Sequence, residues 1–193
     1  NFMDTNSLRQ LMRKRRRSLK SKEQSLAEES VTRRLTLLPS FYMSKRIAFY
    51  LAHDGEIDPK FAMGIAESAG KECYLPLLHP LKQKRLYFAK YKRGDPLSIN
   101  RYGIQEPLLR GAKIVPPFAI DLIIMPLVAF DSSCNRIGMG GGFYDRTLST
   151  EYKNTRLIGL AQSIQETSAI NKRSWDVTLH AIVTEKSVVY RHK

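Results

Sequence analysis

The segment Arg136-Ile-Gly-Met-Gly-Gly-Gly-Phe-Tyr-Asp-Arg146 gathers the residue types of this chain best suited to chemistry. Gly138, Gly140, Gly141 and Gly142 can take left-handed backbone angles and let the main chain approach a ligand closely. Successive N–H groups ahead of a helix start make a seat for phosphate. Arg136 and Arg146 can hold phosphate oxygens. Asp145 can hold Mg2+, an ion that keeps most of its waters. A flexible turn is the plainer reading of any glycine cluster, and the charged flanks argue against it. The segment is not a Walker A loop, because no Lys-Ser or Lys-Thr follows the glycines. Nor is it the dinucleotide fingerprint: counted from Gly138, the third glycine position is Phe143.

Such a loop needs a sheet edge to hold it. Leu122–Met125 reads as a central strand before it, and a helix is expected from about Tyr144. Other short apolar runs read as strands: Ile47–Ala52, Cys73–Leu78, Leu86–Tyr91, Leu157–Ala161, Ala181–Thr184 and Val188–Tyr190. Asp58-Pro59 opens a helix, with Asp58 as its cap, that ends near Gly70. Gly94–Pro117, rich in Gly, Pro and charge, reads as long connecting loops. Asp4–Leu19 forms a helix with a thin apolar stripe of Leu8, Leu11, Met12 and Leu19. A second helix begins with the capping box Ser21-Lys-Glu-Gln24, buries Ala27, Val31, Leu35 and Leu38, and is stopped by Pro39. Strands alternating with helices predict an α/β layered fold: a mainly parallel, mixed central sheet flanked by helices, with a basic N-terminal helix. All 193 residues are expected in one domain.

The formal net charge of +14 favours anionic partners. Arg9, Arg13, Lys14, Arg15, Arg16, Arg17, Lys20 and Lys22 crowd the N-terminal stretch. Arg9, Arg13, Arg16 and Lys20 share one helix side, which is either a solvated face or an anion-facing one. Cys73 and Cys134 form no metal or disulfide pattern and read as free thiols. No apolar stretch is suited to a signal peptide or a membrane span, so a cytoplasmic protein is expected.

Taken together, Pro126-Leu-Val-Ala-Phe-Asp131 and the glycine segment through Leu148 closely resemble the 5-formyltetrahydrofolate cyclo-ligases, also called 5,10-methenyltetrahydrofolate synthetases. The resemblance extends to Leu51-Ala-His-Asp-Gly-Glu-Ile-Asp58, Tyr74-Leu-Pro-Leu-Leu78, Tyr102-Gly-Ile-Gln-Glu-Pro107 and Trp175-Asp-Val-Thr-Leu179. It implies a monomer that uses ATP and Mg2+ to convert 5-formyltetrahydrofolate, with or without a polyglutamate tail, to 5,10-methenyltetrahydrofolate. By the same resemblance Arg9, Arg136, Ile137, Gly138, Met139, Gly140, Gly141, Gly142, Phe143 and Tyr144 bind ATP. Leu51, Glu56 and the stretch Met139, Gly140, Gly141, Gly142, Phe143 border the folate, and Glu56 accepts hydrogen bonds from the pterin. Asp145 is the metal ligand, and Arg136 and Asp145 are the catalytic pair. Asp145→Ala is expected to weaken Mg-ATP use with the fold intact.

The chain departs from the family pattern in three places. Thr5 stands where an N-terminal lysine is usual, leaving Arg13 or Lys14 to compensate. His180 stands near a second acidic metal position and reads as structural. Gly141 stands where many relatives carry a lysine, and would offer backbone N–H alone. Trp175 reads as core or lid packing. Two other classes compete. A basic nucleic-acid-binding protein would use the N-terminal helix, but no helix-turn-helix or stacking-aromatic signature accompanies it. A sugar-phosphate isomerase or a transferase on a similar scaffold would need a positioned general base, for which no candidate stands out.

Overall fold

The computed structural model describes residues 4–149 and 154–192. Its centre is an eight-stranded sheet. The inner strands are β1 (Arg46–Ala48), β2 (Glu72–Leu78), β7 (Leu122–Pro126), β10 (Arg156–Leu160) and β11 (Ala181–Val183). These five run parallel in the order β11-β10-β7-β1-β2. Antiparallel strands close the edges: β12 (Val188–Tyr190) beside β11, and β3 (Leu86–Lys90) then β6 (Ile114–Val115) beyond β2. The sheet is therefore mixed around a parallel centre, as the alternation of strands and helices predicts.

Both faces are covered, which is why the inner strands read as continuous apolar runs. Along β7, Leu122 and Ile124 point to one layer, and Ile123 and Met125 to the other. The first layer is α2 (Ser21–Thr36), α3 (Pro39–Met43) and α4 (Lys60–Ser68), packed through Val31, Leu35, Phe41, Ala62 and Ala66. The second contains α5 (Phe143–Leu148), through Leu148, with Cys134, Val177 and Leu179 from connecting segments. Helix α1 (Thr5–Arg17) packs at the carboxyl end of the sheet, where Met12 meets Val128, Ala129 and Ile137. At Gly159 in β10 the second layer approaches the sheet closely. A Cβ there would lie 2.6 Å from Leu127 Cδ2 and 2.7 Å from Leu179 Cδ1.

Several local expectations need correction. Gly94–Pro117 is not only loop: it contains the hairpin β4 (Leu97–Ile99) and β5 (Gln105–Pro107) and the edge strand β6. Strands of two or three residues are too short to show alternation. Pro39 does not stop α2, which ends at Thr36; it begins α3, where its missing N–H costs nothing. The cap of α2 lies one residue earlier than expected: Glu23 Oε2 accepts from the Lys20 N–H at 2.8 Å. Helix α4 begins at Lys60, and Asp58 Oδ1 caps it by accepting from the Lys60 N–H at 3.0 Å. Between β7 and the glycine segment the chain makes an extra hairpin, β8 (Ala129–Phe130) with β9 (Arg136–Ile137). Asp131 holds its turn by accepting from the N–H groups of Ser133 and Asn135 and from the Asn135 side chain. The second strand of that hairpin leads directly into the glycines.

Candidate active site

Strand β1 has β2 on one side and β7 on the other, so the chain reverses its direction of winding there. Open α/β sheets bind ligands beyond the strand ends at such a point. A cavity of about 360 Å3 lies there. Tyr50, Leu51, His53 and Glu56 line it from the segment after β1, Pro76 and Leu78 from β2, and Pro126 and Leu127 from the end of β7. Tyr102 and Ile104 come from the tip of the β4–β5 hairpin, and Met139, Phe143 and Tyr144 from the glycine segment and α5. The walls are mostly apolar, and the Tyr102 and Phe143 rings meet edge to face at 5.5 Å.

Glu56 is the acceptor set into these walls. It is buried, and its Oε2 accepts from the His53 N–H at 3.0 Å. Burial pushes its carboxyl up to about 7, with the charge of Arg16 and the His53 hydrogen bond opposing and Asp54 adding to the rise. Glu106 and Asp145 also line the cavity, and an apolar slot with a recessed carboxyl such as Glu56 suits a flat heterocycle that presents N–H donors.

A second cleft, of about 430 Å3, lies on the other side of the glycine segment. It is polar and cationic. Arg9 of α1, Arg146 of α5 and Arg173 reach into it, with Thr5, Ile137, Gly138, Gly140, Trp175 and Asp176. Arg9 Nε donates to the Gly138 carbonyl at 2.8 Å. Burial first, then the charges of Arg173 and Arg13, lower the pKa of Arg9. Arg9 and Arg173 repel each other across a space that an anion would relieve. The trace of α5 starts at Gly142, which has φ +68°. An added Cβ there would collide with the Arg146 guanidinium, which donates to the Gly141 carbonyl at 2.8 Å. Gly140, with φ +99°, faces the Arg9 guanidinium. Gly140 and Gly142 are thus needed for their left-handed backbone angles, and Gly142 also makes room for the Arg146 guanidinium.

Arg136, Gly138, Gly142 and Asp145 border both spaces. Arg136 is buried, and its Nη2 donates to Asp145 Oδ1 at 2.7 Å. The same oxygen accepts from the Val177 N–H at 3.0 Å. Asp145 Oδ2 has no hydrogen bond among the described residues, and neither has the buried Arg136 Nε–H. One carboxylate oxygen is therefore left for a ligand at the boundary. Among the described residues no group of three or more His, Cys, Asp or Glu side chains could hold a metal. A cation here would have Asp145 Oδ2 and otherwise phosphate oxygens and water. That donor set fits Mg2+ better than a softer metal.

Of the residues expected to bind ATP, Arg9, Arg136, Ile137, Gly138, Gly140 and Gly142 line the cationic cleft. Met139, Gly141, Phe143 and Tyr144 line the apolar cavity instead, with Leu51 and Glu56. Arg13 does not compensate at Thr5, since it is spent on Asp54 at 2.7 Å, and Lys14 lies outside both spaces. Arg173 supplies the extra charge from the opposite wall. Its neighbourhood in sequence, Lys172-Arg173, carries no motif that would single it out. Trp175 is not core: it is 61% exposed at the cleft rim, with the Arg173 guanidinium 5.7 Å from its ring. His180 is structural, its Nδ1 accepting from the Leu157 N–H at 3.0 Å.

The family model of the 5-formyltetrahydrofolate cyclo-ligase family matches residues 2–185. The 5-formyltetrahydrofolate cyclo-ligase of Escherichia coli (strain K12) is 38% identical over 180 residues, covering 92% of this chain and 98% of its own. That of Haemophilus influenzae is 38% identical over 184 residues, covering 95% and 98%. The solution structure of the Aquifex aeolicus 5,10-methenyltetrahydrofolate synthetase superposes with a TM-score of 0.84 at 30% identity, covering 99% of this chain and 94% of that one.

Proposed function

The chain belongs to the 5-formyltetrahydrofolate cyclo-ligase family, and on that premise we propose that it converts 5-formyltetrahydrofolate to 5,10-methenyltetrahydrofolate, consuming Mg-ATP as one cytoplasmic domain acting as a monomer. The observation that carries the assignment is the pair of dissimilar spaces on either side of one glycine segment. The apolar space takes the folate, its pterin N–H groups on Glu56 and its faces against Leu51, Tyr102, Met139 and Phe143. The cationic cleft takes the nucleotide, its phosphates on Arg9, Arg146, Arg173 and the N–H groups of the Gly138–Gly142 segment. Asp145 Oδ2 would hold Mg2+, which supplies charge neutralisation to the phosphates.

The reaction needs an activated formyl oxygen, because an amide oxygen leaves poorly. That oxygen attacks the γ-phosphorus and ADP departs, giving an imidate phosphate. N10 then attacks the formyl carbon and loses its proton. The C–O bond breaks, inorganic phosphate leaves, and the five-membered ring closes. The protein's contribution is alignment and charge stabilisation. The boundary residues suit both roles. Arg136 brings a guanidinium to the boundary where charge builds on the transferring group, and Asp145 keeps it oriented.

Pure protein with Mg-ATP and 5-formyltetrahydrofolate should develop methenyl absorbance only when all three are present. Failure to form product, with folded protein, would sink the assignment. The nucleic-acid reading loses its main support, because Arg9, Arg13 and Arg16 of the basic helix turn toward Gly138 and Asp54.

A further inference from the structure

Arg16 belongs to a run of exposed arginines, yet its side chain is wholly buried. It lines neither ligand space. Its Nε donates to the Asp54 carbonyl at 2.7 Å, its Nη2 to Asp54 Oδ2 at 3.0 Å and its Nη1 to the Leu127 carbonyl at 3.1 Å. Two of these acceptors are main chain, so the guanidinium is fixed by the fold itself. Nη1 then lies 3.9 Å from Glu56 Oε1, too far for a hydrogen bond and close enough for a strong field. A buried guanidinium is costly unless its donors are met, and here they are met mostly by groups other than Glu56.

We propose that Arg16 is a positioning residue: it holds the Glu56 carboxylate charged and aimed into the apolar cavity, and so sets the affinity for an N–H-bearing heterocycle such as the pterin of a folate. The proposal rests on the assignment of Glu56 as the pterin acceptor. The groups facing Glu56 from each neighbouring element can be named. Arg16 comes from α1, and Glu28 from α2, tied through Gln24 to the Glu56 carbonyl. Tyr50 follows β1, His53 and Asp54 share the loop of Glu56, and Tyr144 comes from α5. Arg136, which lines the same cavity, is already paired with Asp145. Arg16 is thus the cation set against an anionic and phenolic surround. Glu56 sits near 7, where a modest change of field changes its charge at neutral pH.

The decisive measurement is the dissociation constant of 5-formyltetrahydrofolate, without ATP, from about pH 5.5 to about pH 8.5. Wild-type affinity should weaken as pH falls through about 7, where the acceptor is protonated. In Arg16→Gln the midpoint should move up by roughly one pH unit, a loss of about fivefold at neutral pH that alkaline buffer restores. Asp54→Asn removes an anion beside Glu56 and leaves both main-chain acceptors of Arg16 in place. Its midpoint should move the opposite way, toward acid. Unshifted midpoints in both variants, with affinity lost equally at every pH, would overturn the proposal and leave Arg16 as scaffolding. If Arg16→Gln does not fold, the midpoint of Asp54→Asn decides alone. Glu56→Gln separates the premise from the inference: wild-type affinity in that variant refutes the acceptor role itself, whereas weak, pH-independent binding supports it.

Discussion

At the scale of single residues, the Arg136–Asp145 pair changes what substitution at Asp145 means. In sequence terms, Asp145→Ala is a clean way to remove a metal ligand. The structure shows that the same carboxylate pairs with the buried Arg136 guanidinium through Nη2 and accepts from the Val177 N–H. Asp145→Ala should therefore destabilise the protein, by on the order of 2 kcal/mol, through an unpaired buried cation. Thermal melting would reveal it. Asp145→Asn keeps an oxygen toward Arg136 and is the better probe; its KM for Mg-ATP should rise about tenfold or more, with a smaller change in melting temperature. Equal Mg-ATP use at limiting Mg2+ would count against the metal role. The pairing is not legible in the sequence. Arg136 and Asp145 are nine positions apart, and only the fold brings them together. Arg16 and Arg173 are hidden for another reason: nothing in a basic run marks which guanidinium turns inward.

At the scale of elements, the parallel centre of the sheet is plain in the sequence because each strand is apolar on both faces. The β4–β5 hairpin is not, yet it delivers Tyr102 and Ile104 to the apolar cavity. The glycine segment is legible as a close-approach element, but its division between two spaces depends on the preceding β8–β9 hairpin. Gly141 tests that division. A Cβ there would lie 2.7 Å from two Phe143 ring atoms. Gly141→Ala should displace the ring and raise KM for the folate several-fold, on the order of 1 kcal/mol, with less effect on KM for ATP. An effect confined to ATP would contradict the proposal that the apolar cavity holding Phe143 takes the folate. Gly159→Ala in β10 should cost about 1–3 kcal/mol by overpacking against Leu127 and Leu179, read as a lower denaturation midpoint.

At the scale of the whole molecule, charge and pH matter more than any one contact. The +14 excess is not gathered into a free nucleic-acid face, since the inward arginines are occupied by Asp54, Gly138 and Leu127. Any retention on DNA or RNA should be lost by about 0.15 M salt, without sequence preference. Glu56 gives the fold a pH signature. Its folded-state value, about 7, lies above the ordinary carboxyl value, so the folded protein holds this proton more tightly than the unfolded chain. Its contribution is therefore fully present below the unfolded value and is lost as pH rises toward and through about 7. Relative to wild type, Glu56→Gln should gain melting temperature between about pH 5 and about pH 8, by a few degrees. A constant difference across that range would mean that Glu56 is not buried as charge.

Gly159 carries a consequence for how variants of this protein would be interpreted. The missing side chain in β10 lets Leu127 settle onto the sheet, and the Leu127 carbonyl accepts from both Arg16 and Gln165. Leu127 also lines the apolar cavity. A single added methyl group at position 159 would press on the residue beneath Arg16 and on the cavity wall together. In a selection for folate-dependent growth, such a variant would be scored with the catalytic mutants, although position 159 lines neither ligand space. The functional footprint of this fold is wider than its ligand contacts, and it reaches an unremarkable glycine in a buried strand.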